Sequence, residues 1–138
     1  MIRRSIVLAL LLSIWAVALA ACGRGGSAAA LETTLGAPVQ LAPGQSAVIA
    51  NDELEVQFVR IASDSRCPRD VACLWAGEVI AQLEVRSDGK TTQHEVKEMQ
   101  SAAVDGYTVT VLQVLPPRVS SEQQIAAADY RVTLKVAR

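Results

Sequence analysis

The sequence contains one histidine among 138 residues, and it contains no Gly-x-Ser-x-Gly elbow, His-Glu-x-x-His helix or phosphate-cradling glycine loop. The usual constellations for nucleophilic, metal-assisted or phosphoryl chemistry therefore have no bearer. His94 lies in a strand-like run beside Thr92 and Val96, where a surface or half-buried strand residue is the ordinary reading. The expectation is a protein that is not an enzyme and carries no cofactor. Basic runs are also missing. Without Arg3 and Arg4 the chain carries 11 basic against 14 acidic side chains, a mildly acidic balance that argues against nucleic acid or anionic headgroups as the principal partner. Internal repeats are absent, and the acid pair Glu53 and Glu55 alternates onto the outer face of a strand.

What is present begins with Met-Ile-Arg-Arg and a largely apolar run from Ile6 to Ala21. A charged start followed by a short apolar stretch ending in small residues is a secretory signal, too short for a spanning helix. Directly after it, Leu19-Ala20-Ala21-Cys22-Gly23 resembles the lipobox of bacterial lipoproteins, in which the cysteine receives a diacylglyceryl group before cleavage. The resemblance implies residues 1–21 as signal peptide, Cys22 as the lipidated residue, and a cell-envelope protein attached to the membrane through its anchor. Two or three acyl chains at about 0.8 kcal/mol per buried methylene make detachment negligible. In that family an Asp after the cysteine favours inner-membrane retention; Gly23 implies the outer membrane, facing the periplasm, in a Gram-negative cell.

The 117 residues after Ala21 leave room for one domain of ordinary size. Residues 22–36 comprise the anchored cysteine and a small, polar linker (GRGGSAAALETTLG, 14 residues) with a reach of roughly 20 Å. Residues 37–138 form the domain.

From Ala37 onward the apolar period is two, with turn signals about every 8–12 residues, the signature of a sandwich or small barrel. Tyr130, Val132, Leu134 and Val136 face one way and Arg131, Thr133 and Lys135 the other; Val79 to Arg86 and Glu53 to Phe58 alternate in the same manner. The phase slips at Phe58-Val59 and at Val111-Leu112, which signals β-bulges or strands covered on both faces. Asp88-Gly89 fits a type I′ hairpin and Pro43-Gly44 a type II turn, while Asn51-Asp52 and Asp105-Gly106 punctuate the remaining runs. Seven strands follow: 38–42, 45–50, 53–62, 78–87, 90–97, 106–115 and 129–137. Residues 120–128 have helical propensity sufficient for one turn. An antiparallel immunoglobulin-like β-sandwich is the expected fold, with a small β-barrel as the alternative; Tyr107 behind Asp105-Gly106 resembles the tyrosine corner of such sandwiches.

The most distinctive stretch is Asp64 to Glu78, DSRCPRDVACLWAGE. In an exported protein Cys67 and Cys73 have each other as partners, and a disulfide is the default. Closing a ring of seven residues constrains the unfolded chain by roughly 2–2.5 kcal/mol. Pro68 and Gly77 add rigidity and a tight exit. Arg66, Arg69 and Asp70 are expected to project as contacts for a partner, and Trp75 to pack beneath the loop. The pattern D-S-R-C-P-x4-C-x-W-x-G resembles a loop shared by a group of small bacterial secreted proteins and lipoproteins, a resemblance that brings no activity with it.

Three readings of function remain. The first is a binding or structural module that uses the 64–77 loop to contact another envelope protein or the cell wall. The second is a soft-metal protein holding copper or zinc through Cys67, Cys73 and His94, with Asp70 or Met99 nearby, although five intervening residues exceed the usual spacing of paired zinc cysteines. The third is an inhibitor of envelope proteases. Mass spectra of the protein purified without reductant and offered both metals separate the second from the others. The expected mass is that of the oxidised form with no retained ion; free thiols with one stoichiometric metal would establish the metal reading instead.

Overall fold

The computed structural model describes residues 29–49 and 54–138. They form an all-β unit of two sheets. The first sheet contains β1 (Leu31–Thr33), β3 (Ser46–Ile49), β4 (Leu54–Asp64), β5 (Val79–Ser87) and β6 (Lys90–Lys97), in that spatial order. The second is ordered β2 (Pro38–Leu41), β9 (Arg131–Ala137), β8 (Tyr107–Leu115), β7 (Ser101–Val104). Two separate sheets replace the alternative of a closed barrel. A 3₁₀ turn at Ala127–Asp129 is all that the helical propensity before β9 produces.

Alternation decides which faces are buried. Val56, Phe58, Ala81, Leu83 and Val85 from one sheet and Val109, Val111, Val132, Leu134 and Val136 from the other belong to a single buried cluster. The phase slips at Phe58-Val59 and Val111-Leu112 are bulges, since the ladder jumps from Phe58 to Arg60 in β4 and from Val111 to Gln113 in β8. Each extra residue resets which side chains face inward. In β8 the reset lets Val114 return to the core three positions after Val111, and its N–H donates to the Glu98 carboxylate at 2.7 Å.

Asp88 and Gly89 have φ of 48° and 73°, which makes β5–β6 the expected type I′ hairpin. Asp105 and Gly106, at 49° and 82°, build a second such hairpin, with Val104 opposite Tyr107. At Pro43-Gly44 the Gln45 N–H donates to the Ala42 carbonyl at 3.0 Å, and Gly44 has φ 79°, as a type II turn requires. Tyr107 is buried, with the Arg138 guanidinium 5.2 Å from its ring centre. Asn51-Asp52 lies outside the described residues.

Two strands were not expected. Ser101–Val104 lacks β-branched residues until its end, but the hairpin turn behind it fixes its pairing with β8. Leu31–Thr33 belongs to the segment read as free tether, and it pairs in parallel with β3, Leu31 opposite Ala47. Gly36 then donates its N–H to the Val136 carbonyl at 2.7 Å. The expected tether of residues 22–36 thus joins the fold by Leu31, because a three-residue strand is too brief to show a period. Replacing Phe58 by Ala is expected to cost about 4 kcal/mol through lost burial and a central cavity, read as a fall in the urea midpoint with an unchanged slope.

Candidate functional site

The β4–β5 connection extends its own ladder beyond the sheet. Ser65 N–H donates to the Glu78 carbonyl at 2.8 Å and Cys67 N–H to the Ala76 carbonyl at 2.7 Å, so the two arms run side by side toward the tip. The Ser65 hydroxyl donates to the Glu78 carbonyl and accepts from the Glu78 N–H, both at 3.1 Å. Gly77 has φ +70°, and a Cβ there would overlap the Ser65 backbone carbonyl; only glycine permits the arms to approach this closely. The Cys67–Cys73 disulfide then closes the tip, with the two Cα atoms 6.0 Å apart.

Arg66 does not project into solvent. Its guanidinium makes a two-pronged contact with Asp64, Nε donating to Oδ1 at 2.9 Å and Nη2 to Oδ2 at 2.6 Å. It also donates to the carbonyls of Val114 and Pro116, each at 3.0 Å. The Tyr130 hydroxyl donates to Asp64 Oδ2 at 3.0 Å. The side chains of Arg66 and Asp64 are only 14% and 8% exposed. The expectation that Arg66 projects is therefore corrected: a planar donor fork satisfies one carboxylate and two carbonyls that burial would otherwise leave unpaired. Burial pushes the Asp64 carboxyl up, but the hydrogen bonds from Arg66 and Tyr130 and the guanidinium charge outweigh it and hold the acid below its ordinary value. The Asp64 hydrogen bond raises Arg66 against the opposing effect of burial. Burial and the neighbouring carboxylate both raise the Tyr130 phenol.

Asp70 is exposed but engaged. Its carboxylate accepts from the Ser121 N–H at 2.9 and 3.0 Å and from the Ser121 hydroxyl at 3.2 Å, and the Ser121 N–H is the main cause of its lowered pKa. Arg69 N–H donates to the Arg118 carbonyl at 3.3 Å, while the Arg69 side chain lies exposed. The tip is thereby tied to the β8–β9 connection at two points.

Trp75 overturns the second expectation. It is 80% exposed, and Leu74 beside it 91%. The tip of the stapled loop turns both side chains outward. Sequence reasoning missed this because an aromatic after a cysteine in a small domain reads as core, and loop geometry lacks the period that reports facing.

The metal set does not assemble. Cys67 and Cys73 are joined to each other, and His94 sits in β6, its ring nitrogen 2.9 Å from the Thr92 hydroxyl. Among the described residues no group of three or more His, Cys, Asp or Glu is placed to hold an ion. Cys22 lies outside the described residues. Comparison with known proteins finds no match among family models, curated proteins or solved structures.

Arg66→Met keeps the volume and removes the fork, leaving Asp64 buried without its counter-charge; a loss of about 3 kcal/mol is expected. Because the Asp64 pKa is lowered on folding, its contribution is complete above the unfolded value of 3.8 and is lost as pH falls through the folded value. Urea unfolding of both proteins should therefore show a gap at neutral pH that narrows as the solution is acidified below that point.

Proposed function

We propose that this protein is a lipid-anchored module of the bacterial cell envelope, attached through Cys22 and exposed to the periplasm from the outer membrane. It acts without catalysis, by recognition through the 64–77 loop. The two sheets are read as an immunoglobulin-like sandwich, an architecture that places recognition on end loops held by a rigid scaffold. The observation that carries the reading is the exposure of Leu74 and Trp75 on a tip whose every other restraint is internal: the disulfide, the Ser65–Glu78 and Cys67–Ala76 pairs, the Arg66 fork and the Asp70–Ser121 clamp. Large apolar side chains presented in water on a restrained backbone require little further backbone ordering on binding, which is the economy of a preorganised contact surface. Arg69 supplies a charged flank; Arg66 and Asp70 hold the loop in shape. The polar cluster around Asp64 is fully engaged in joining loops, which supports a non-catalytic role.

Cys22→Ser should leave the chain without acyl mass and move it from the membrane to the soluble fraction. Photoreactive side chains at positions 69 and 74 should give adducts in intact cells, whereas position 90, exposed in the β5–β6 hairpin at the opposite end, should give none. Adducts from position 90 alone would overturn the loop as the recognition surface.

A further inference from the structure

The stapled loop is held in two different ways. Its arms and flank are tied by hydrogen bonds that do not pass through sulfur: Ser65 to Glu78, Cys67 N–H to the Ala76 carbonyl, the Arg66 fork, Arg69 N–H to the Arg118 carbonyl, and Asp70 to Ser121. Val71 N–H closes back on the Pro68 carbonyl at 3.4 Å. From Ala72 to Trp75 the pattern stops. Among the described residues no hydrogen bond or ion pair reaches Ala72, Cys73, Leu74 or Trp75, and all four are exposed. Apart from the chain at its two ends, this segment is fixed by one link, the bond from Cys73 to Cys67.

The two half-cystines differ in access. Cys73 is exposed, whereas Cys67 is half-buried. Cys67 Sγ also lies 3.4 Å from the carbonyl oxygen of Pro68 and 3.7 Å from that of Val71, so acceptors for a thiol hydrogen stand beside that sulfur. Disulfides that an incoming thiolate can reach are the labile and regulatory ones, because exchange proceeds by direct attack on sulfur. Here the reachable residue is also the one that adjoins Leu74 and Trp75.

Resting on the recognition reading above, we infer that the Cys67–Cys73 bond is a redox switch on the recognition segment, opened by a dithiol reductant. One thiolate of the dithiol attacks Cys73 Sγ. The sulfur–sulfur bond breaks and its electron pair leaves on Cys67 Sγ, which takes up a proton and donates to the Pro68 or Val71 carbonyl. The second thiol of the reductant then displaces Cys73 as a thiolate, which is protonated in turn, and the reductant departs as a disulfide. Two electrons and two protons have passed to the loop. Oxidised, the segment presents Leu74 and Trp75 from a fixed backbone. Reduced, the arms, the Arg66 fork and the Asp70 clamp persist, while residues 72–75 are joined to them through the chain alone. A contact surface that must be ordered anew at each encounter binds more weakly, since the entropy of ordering is subtracted from the affinity.

The protein supplies its own probe. Its tryptophans are Trp15 and Trp75, and cleavage before Cys22 leaves Trp75 alone. Dithiothreitol added to the mature protein without denaturant should open the bond, after which iodoacetamide labels both cysteines. The anisotropy of Trp75 emission should then fall while the far-ultraviolet circular dichroism stays that of the folded protein. The double variant Cys67→Ser with Cys73→Ser should show the low anisotropy with no reductant present. In intact cells a photoreactive side chain at position 74 should lose its adducts in that double variant. Reduction that proceeds only in urea, or an anisotropy unchanged by reduction, overturns the inference. Loss of the folded dichroism on reduction makes the bond a staple of the whole domain and overturns it equally. Adducts at position 74 undiminished in the double variant overturn the switch and leave the loop as a recognition surface. If positions 69 and 74 capture nothing in wild-type cells while position 90 does, the recognition reading falls and the inference with it, whatever Trp75 does on reduction.

Discussion

The buried pair between Asp64 and Arg66 is the constraint on which the loop end depends. Asp64 closes β4, and its carboxylate is met by Arg66 from the outgoing loop and by Tyr130 from the strand entry of β9. The same guanidinium reaches the end of β8 at Val114 and the residue just past it, Pro116. One ion pair therefore joins the ends of interior strands of both sheets, at the point where regular pairing stops. Buried charges of this kind add little net stability compared with apolar packing, and their removal singly is costly. What they confer is a fixed geometry, because planar donors and acceptors accept few arrangements.

Around that fixed point the loop is organised outward in order of decreasing constraint. The ladder of β4 and β5 continues through Ser65 and Cys67, the glycine at 77 lets the arms close, the disulfide caps them, and Asp70 ties the tip sideways. Leu74, Trp75 and the Arg69 side chain are left without a part in this framework.

Much of the fold was legible because inward and outward residues alternate so regularly. The strand from Tyr130 to Val136, the run from Val79 to Val85 and the two phase slips were all readable, since burial of one face imposes a period of two and a bulge shifts it. The stapling cysteines were readable once the apolar N-terminal run was read as an export signal, and the disulfide between them is present. What escaped was whatever depends on contacts distant in sequence: β1 is defined by its pairing with β3, β7 by the turn behind it, and Arg66 by carbonyls about fifty positions away. Charge next to a disulfide looks solvent-facing in one dimension and turns inward only when a second loop supplies acceptors.

The parallel placement of β1 against β3 has a mechanical side. A pull delivered through residue 30 acts along the axis of β1, so its hydrogen bonds to β3 are loaded together, in shear, and not opened one after another as in a hairpin peeled from its end. Behind them the Gly36–Val136 bond joins the same segment to the second sheet, so the load passes to both sheets. A protein dragged by its N-terminus through a crowded compartment would thus transmit force to its core before its first strand came loose.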